Sequence, residues 1–567
     1  MGMDIGNACG PVRLERNFML EISEIPCSLK QGATEASCLD VCKREAARLL
    51  RCDPKTFRSV TLHRKSIDAR KKAQVHFTLS ARFEVDPALD ELELIESVST
   101  RDARRVRVVD FSEPTFEHGF TRSSHNEPHP QPIVVGAGCA GLFAALTLAE
   151  AGLFPLLIEM GDDAERRTDA VARFNATGEL DPASNIQFGL GGAGTFSDGK
   201  LNTGTKNPLH RLVLRTLVEA GAPRNILWDA KPHIGSDVLP TVVTHMIDRI
   251  RSCGGTVRFR TKLVDIKMDE QGKIAGITVE HGGQREHLPA SHIILACGHS
   301  ARDVFELLLS RNVSLARKTF AMGVRIEHLQ VDIDKALYGT AAGHPSLGAA
   351  PYSLVAHLKN GRSLFSFCMC PGGEVVAAAS EPGGVVTNGA SLNARSGRNA
   401  NAALLVNIEP ADLPGDDPLA GMRLQRTCEQ RAFELGGGAY RAPAQTVGDF
   451  LSRQPSTGHG RIKPTYPRGV TWGSLEGILP THVIETLREG IPVLGRKLKG
   501  FDDPDAVLTA PETRSSSPVT VVRDRATCVS ISTPGLYPCG EGAGYAGGIM
   551  SAATDGIRCA QALLSTL

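Results

Sequence analysis

The feature that most constrains this chain is Gly136-Ala-Gly138-Cys-Ala-Gly141, which directly follows the apolar run Ile133 to Val135 and opens a helix-like apolar stretch. Strand, glycine turn and helix start in that order make a binding site for a dinucleotide pyrophosphate. The first glycine permits the tight turn, the second lets backbone approach the phosphates, and the third lets the helix pack on the strand. Unpaired N–H groups and the positive end of the helix dipole then face the anion. Glu159 ends the next apolar run, 18 residues after Gly141, where it can accept hydrogen bonds from both hydroxyls of an adenosine ribose. Chance competes with this reading, because a chain with 58 glycines in 567 residues makes the spacing again at Gly189-Gly191-Gly194 and at Gly542-Gly544-Gly547. Neither repeat has a clean strand before it and an acid about 20 residues on. The first match separates nucleotide binding from chance, but not NAD from FAD.

Residues 18 to 85 form an independent pattern. Phe18, Leu20 and Ile22 alternate, Leu39, Cys42, Ala46 and Leu49 fall at helical spacing, and Val75 to Val85 alternates again, as in a ferredoxin-like α/β module. Arg51 to Lys72 holds eight Lys or Arg against two Asp, a candidate anion-binding face or, more simply, a solvated strand end. The breaker-rich segment 121–132 reads as a linker. From Ile133, strands and helices alternate: a helix from about Cys139 to Ala151, a strand at 154–158, a helix near 239–252, a strand at 256–260, a hairpin over 263–280 and a buried strand at 293–297. Residues 301 to about 505 do not repeat this parallel pattern. The end of the chain returns to strand, glycine turn and a helix from about Ile549 to Leu564. The expected division is an N-terminal module 1–120, linker 121–132, nucleotide-binding segments 133–300 and 518–567, and an inserted α+β substrate or catalytic domain 301–517.

Charge and cysteines narrow the function classes. With 63 basic and 62 acidic residues the net charge is +1, so the whole chain implies neither nucleic acid nor an anionic membrane as partner. Nucleic acid is disfavoured and stays open only at the N-terminal module. The most apolar stretch, 137–149, falls short of the roughly 20 residues that span a bilayer, and Met1-Gly-Met-Asp-Ile-Gly has no secretory pattern. The 14 cysteines show no paired zinc-ligand spacing, which favours a reducing cytoplasm and no metal site.

The C-terminal stretch resolves which dinucleotide is meant. Thr533-Pro-Gly-Leu-Tyr-Pro-Cys-Gly540-Glu541-Gly542, then Gly547-Gly548-Ile549-Met550-Ser551, resembles the closing motif of the glutathione-reductase-type flavoproteins, and Ser291 to Gly298 resembles their intervening strand-and-glycine motif. That resemblance implies that Glu541, standing where Asp is commoner, contacts the ribityl chain and that the helix start at Gly548, Ile549 and Met550 faces the flavin pyrimidine edge. Ser184 to Lys200, Ala230 to Gly235, Gly298 to Asp303, Ser366 to Gly373 and Gly540 to Gly548 are similar to an uncharacterised FAD-dependent dehydrogenase family, from about residue 15 to the end. The family implies a Rossmann-like FAD-binding domain of two chain segments with an inserted domain. It supplies no substrate.

Non-covalent FAD is therefore expected at Gly136, Gly138, Cys139, Ala140, Gly141 and Glu159, with Arg166 beyond them. The glycine-rich loop 188–200 adds Gly191, Gly192, Gly194 and Thr195, and the later motifs add Gly298, Gly540, Glu541, Gly548, Ile549 and Met550. His299 and Arg302 follow a strand end, where open α/β sheets bind ligands, and Lys200 suits an anionic reduced ring; these three are the catalytic candidates. His233, Glu327 and His328 are weaker ones. Cys368-Met-Cys370 reads as buried structural thiols, because a C-x-C pair reaches disulfide geometry only with strain. The expected function is an FAD-dependent oxidoreductase passing hydride between flavin and a small molecule, with NAD(P)H as a candidate co-substrate. The alternative is an FAD-binding protein whose basic N-terminal module contacts RNA or another polyanion, the flavin being structural or sensory.

Overall fold

The computed structural model describes residues 18–86, 91–96, 98–110, 114–116, 131–204 and 206–567. The expected linker 121–132 lies, except for Gln131 and Pro132, outside the described residues, as does the amino-terminal segment read for targeting signals. The chain divides into two compact units, one running to Thr115 and including Leu227–Ala230, the other comprising Phe116–Ile226 and Lys231–Leu567.

In the first unit, strands Phe18–Cys27, Phe57–Asp68, His76–Val85 and Val106–Asp110 form an antiparallel sheet, with the first and last strands side by side and Phe57–Asp68 at the far edge. Helix Glu35–Leu50 lies between the first two strands in sequence. Thr34 starts it by accepting a hydrogen bond from the Ser37 N–H, and Cys38, Val41, Cys42 and Leu49 form its buried face. Alternation is regular in His76–Val85, where Phe77, Leu79, Ala81 and Phe83 point inward.

The second unit is built around a five-stranded parallel sheet. Its order is Leu536–Pro538, Ile293–Leu295, Ile133–Val135, Leu156–Ile158 and Thr256–Arg258. The four leading strands are short and wholly buried, as parallel strands covered on both faces must be. Helix Cys139–Glu150 covers one face and is itself buried almost throughout. The last helix, Ile549–Leu564, packs against it so closely that a Cβ on Gly556 would stand 2.1 Å from the Ala140 carbonyl oxygen. Residues about 400 positions apart in sequence thus share one core. The expected hairpin is three-stranded, Thr261–Met268, Ile274–His281 and Gln284–Pro289; the third strand alternates poorly because it is mostly exposed.

A seven-stranded sheet occupies 320–512, in the order Val355–His357, Ser363–Cys370, Asn399–Ile408, Phe320–Leu329, Val507–Glu512, Ala442–Thr446 and Val470–Trp472. Its central strand Phe320–Leu329 is buried on both faces yet carries Arg325, Glu327 and His328, so it brings charge into the interior. Among the described residues no helix is long and apolar enough to cross a membrane.

Candidate functional site

A cavity of about 350 Å³ opens in the second unit where the parallel sheet meets the seven-stranded one. Gly136, Gly138, Cys139 and Ala140 form one end, and Gly548 and Ile549 at the start of the last helix form another part of the wall. Gly136 has φ +97°, and a Cβ there would lie 2.5 Å from the Ala296 carbonyl oxygen, so only glycine fits this turn. Gly141 does not reach the cavity. A Cβ on it would sit 1.8 Å from the Gly136 carbonyl oxygen, so its absence lets the helix close on the strand.

Glu159 lines the cavity but is only 6% exposed. Its carboxylate accepts the backbone N–H groups of Ala137 (2.8 Å), Gly161 (2.9 Å) and Gly189 (3.0 Å), tying the glycine turn to the 185–200 loop. Two carboxylate oxygens offer about four acceptor positions, so one remains for a hydroxyl.

Arg166 requires a correction. Its side chain is 77% exposed, pairs with Asp163 at 3.9 Å and does not line the cavity. The neighbouring Arg167 points inward instead, because the buried face of helix Ala164–Thr177 falls on Arg167, Ala170, Val171 and Phe174. Its guanidinium is fully buried and donates to the carbonyls of Asn185 (2.8 Å), Ile186 (2.9 Å), Leu190 (2.6 Å) and Gly192 (2.9 Å). Burial lowers its pKa to about 9, a shift that Glu159 opposes. Gly191, Gly192, Ala193 and Gly194 line the cavity; the Gly191 N–H is donated to the Ala137 carbonyl (2.8 Å) and the Gly192 N–H to the Gly189 carbonyl (2.9 Å), so these bonds tie the loop to the glycine turn and close it on itself. Thr195 is buried behind them and donates to the Leu190 carbonyl (3.1 Å).

Lys200 and His299 line the cavity, whereas Arg302 does not. Lys200 lies 3.0 Å from Asp198, which is also held by Arg395; burial opposes its charge, but Cys370, Cys368 and Asp198 raise its pKa. Burial, then repulsion from Arg514 and Arg302, lowers His299 to about 4, so its imidazole is neutral at pH 7. It offers a hydrogen-bond donor and an acceptor there, and the same burial and repulsion oppose its becoming imidazolium. Arg302 is the second correction. It is drawn into a buried ion cluster by Glu429 (2.9 and 2.8 Å) and Glu381, so it anchors the helix Arg302–Ser310 behind the cavity wall. His233, Glu327 and His328 also lie outside the cavity, each bonded to a neighbouring segment.

Of the C-terminal residues, Gly298, Glu541, Gly548 and Ile549 line the cavity. Gly540 and Met550 do not: the Gly540 N–H donates to Asp555 (2.8 Å) and Met550 faces the core. Burial raises the Glu541 carboxyl to about 7, with Lys318 pulling it down. Cys539, Asp555 and Cys559 come within 4.8 Å of one another, but Arg523 fills that position, with its guanidinium 3.0 and 2.5 Å from the Asp555 oxygens and 3.1 Å from Cys559 Sγ.

Glu512 is a wall residue that the sequence did not mark. Glu512 ends the strand Val507–Glu512 and pairs with Arg325 (3.0 Å); burial raises it to about 7 against the pull of that arginine. No local motif marks it, because its neighbours come from strands far away in sequence. Cys368 corrects the expectation of two buried structural thiols. It stands at a β-bulge with φ +37° and opens on the cavity, while Cys370 is fully buried. In the first unit the basic run is partly self-satisfied. Lys65 Nζ donates to the Gly32 carbonyl (2.6 Å) and lies over Phe77, and Arg70 pairs with Asp68; Arg64, Lys71 and Lys72 are exposed.

A parallel sheet delivering a glycine turn and a helix start to one cavity defines an α/β fold of the Rossmann type. Residues 319–515 match the family "FAD-dependent protein, C-terminal domain-like", and residues 19–84 match a domain of unknown function, DUF8436. An uncharacterised protein of Clostridium beijerinckii is 43% identical over 527 residues, covering 93% of this chain and 96% of that protein. The chain belongs to the family of that clostridial protein. Among solved structures it is similar to the flavin-dependent brominase Bmp2 (12% identity, 77% of this chain and 80% of that chain, TM-score 0.35). It is also similar to a 3-ketosteroid dehydrogenase of Rhodococcus jostii RHA1 (11%, 79% and 99%, TM-score 0.34).

Proposed function

We propose that this protein is an FAD-dependent oxidoreductase that holds FAD non-covalently in the cavity and acts on a small molecule. The observation that carries the reading is that the Gly136–Gly138 turn and the Gly548–Ile549 helix start, 410 residues apart by the difference 548 − 138, line one continuous space. An extended dinucleotide is the ligand that needs both ends at once. In this reading the helix start at Gly138 to Ala140 holds the pyrophosphate, the 191–194 turn packs against it, and Glu159 takes the adenosine ribose. Glu541 holds the polyol, and the dipole of the last helix faces the pyrimidine edge. FAD supplies two-electron hydride chemistry when bound. Lys200 favours negative charge on the ring, and neutral His299 offers the ligand a hydrogen bond from the cavity wall. Gly298 gives the backbone its close approach. We divide the chain accordingly into FAD-binding segments 133–300 and 518–567 around an inserted domain 301–517 that supplies Phe367, Cys368, Asn388 and Glu512 to the substrate side. The N-terminal module occupies 1–120. The cysteine usage supports a cytoplasmic location, and NAD(P)H is the electron donor to test first. For the polyanion reading, the first unit offers the exposed Arg64, Lys71 and Lys72 among its described residues.

The test is the absorption spectrum of the purified protein, release of its cofactor by denaturation, and anaerobic mixing with NADH and NADPH. The expected result is a yellow protein releasing intact FAD, bleached by one of the two nucleotides. A colourless protein that takes up no FAD on reconstitution overturns the proposal. A bound flavin reduced by neither nucleotide overturns the donor assignment alone.

A further inference from the structure

We propose that Cys368 and Cys370 are a redox dithiol that exchanges two electrons with the flavin, an inference that rests on the FAD reading above. Three observations carry it. Cys368 lines the cavity while Cys370, two residues on, is fully buried, so the pair has one face toward a ligand and one away from solvent. A regular strand would hold two side chains at i and i+2 parallel and apart. Here the register slips between Phe367 and Cys370, and Cys368 takes a left-handed φ of +37°, a conformation that costs a non-glycine residue energy and is kept where the surroundings impose it. The kink folds Cys370 back, so that its thiol donates to the Cys368 carbonyl oxygen at 3.3 Å. The strain that disfavours a C-x-C pair is therefore already present in the backbone.

The third observation is the charge around the pair. Arg325 donates to the Cys368 carbonyl (3.1 Å) and to Cys370 Sγ (3.7 Å), and Lys200 stands on the adjoining wall. The Cys370 thiol hydrogen bond, Lys200 and Arg325 hold Cys368 below the ordinary thiol pKa despite burial, whereas Cys370 is pushed up. One thiolate facing the ligand and one thiol behind it is the state from which a disulfide forms. In the oxidising direction an S–S bond forms between Cys368 and Cys370. The thiolate and the thiol together lose two electrons and one proton, and oxidised flavin takes up both electrons and that proton, so no proton is left over. In the reducing direction the same bond breaks and reduced flavin returns the electrons.

The experiment is an anaerobic dithionite titration of the air-oxidised holoprotein, beside Cys368→Ser, with alkylation and mass mapping of the 363–373 segment before and after reduction. The wild type should take up four electrons per flavin, two for the flavin and two for the disulfide, and Cys368→Ser only two. With the protein unfolded in the alkylating agent so that buried Cys370 is reached, both thiols should stay unmodified in the oxidised wild type and be alkylated after reduction. Equal uptake by the two proteins, or thiols alkylated equally in both states, overturns the proposal. Cys368→Ser alters only the cavity wall and avoids the packing loss expected of a Cys370 variant. Should the protein hold no FAD, the alkylation pattern still reports on the pair, so the two readings fail separately.

Discussion

Two buried glutamates in the second unit, Glu429 and Glu512, are both paired with arginine and yet behave oppositely. Glu429 receives Arg302 through two hydrogen bonds, Arg514 through two more (2.9 and 2.7 Å) and the Thr513 hydroxyl (2.6 Å). Burial opposes its charge, but the two guanidinium groups prevail and lower it to about 2. Glu512 has one arginine, whose other donors go to Asn401, Cys368 and Cys370, and burial prevails, raising it to about 7. Near it, Arg325 Nε, Asn401 Nδ2 and Thr509 Oγ1 have no hydrogen-bond partner. A closed, fully paired cluster fixes a helix to a sheet; a cluster left short of partners on a cavity wall keeps capacity for a ligand and a proton.

The largest expected effect tests the closed cluster. Glu429→Ala leaves buried Arg302 and Arg514 with Glu381 as their one remaining carboxylate and should lower unfolding stability by about 3–5 kcal/mol, read as a shift of the denaturant midpoint. Next comes Arg167→Met, which strips the inward carbonyls of the 185–192 segment of their donor. A loss of about 2–3 kcal/mol is expected, together with weaker retention of FAD measured by ultrafiltration. If FAD retention is unchanged while stability falls, the loop does not contact the cofactor.

The pH dependence sharpens the comparison further. Glu512 has a folded pKa above its unfolded value, so the folded state binds more protons between about pH 4.5 and 7 and stability falls as pH rises through that window. Glu512→Gln should remove about 1–2 kcal/mol of that fall, seen by comparing midpoints of the cofactor-free proteins at the two ends of the window. Glu429 has the opposite sign. Its contribution is complete above its unfolded value and disappears as pH falls toward about 2. A wild-type profile with no difference from Glu512→Gln would show that the two clusters are electrostatically alike.

What could be read from the sequence follows the range of the interactions. The glycine turn, Glu159 and the last helix were legible because strand, turn and helix start are neighbours in sequence. The Cys139–Glu150 helix also declared itself by its unbroken apolar run. Glu512 was not legible, since its setting arises from Arg325 and Cys368, 187 and 144 residues away by subtraction of their numbers. Arg302 misled for the same reason: its position after a strand end pointed to a ligand, and two distant glutamates claimed it. Cys368 was hidden by a bulge, because alternation along Ser363–Cys370 places it correctly only if the register is regular.

The smallest expected effect separates two adjacent arginines. Arg166 and Arg167 are indistinguishable by composition, and only the helical face decides between them, since one position on a helix turns a side chain by about 100°. Arg166 projects from that helix into solvent beside Asp163, an exposed pair at 3.9 Å that contributes little. Arg166→Ala should therefore change stability by no more than about 0.5 kcal/mol and leave FAD retention as in the wild type. Measured beside Arg167→Met under the same conditions, it controls for the loss of one positive charge near the cofactor. A loss of FAD from Arg166→Ala equal to that from Arg167→Met would mean that net charge, and not the inward anchoring of the loop, holds the cofactor.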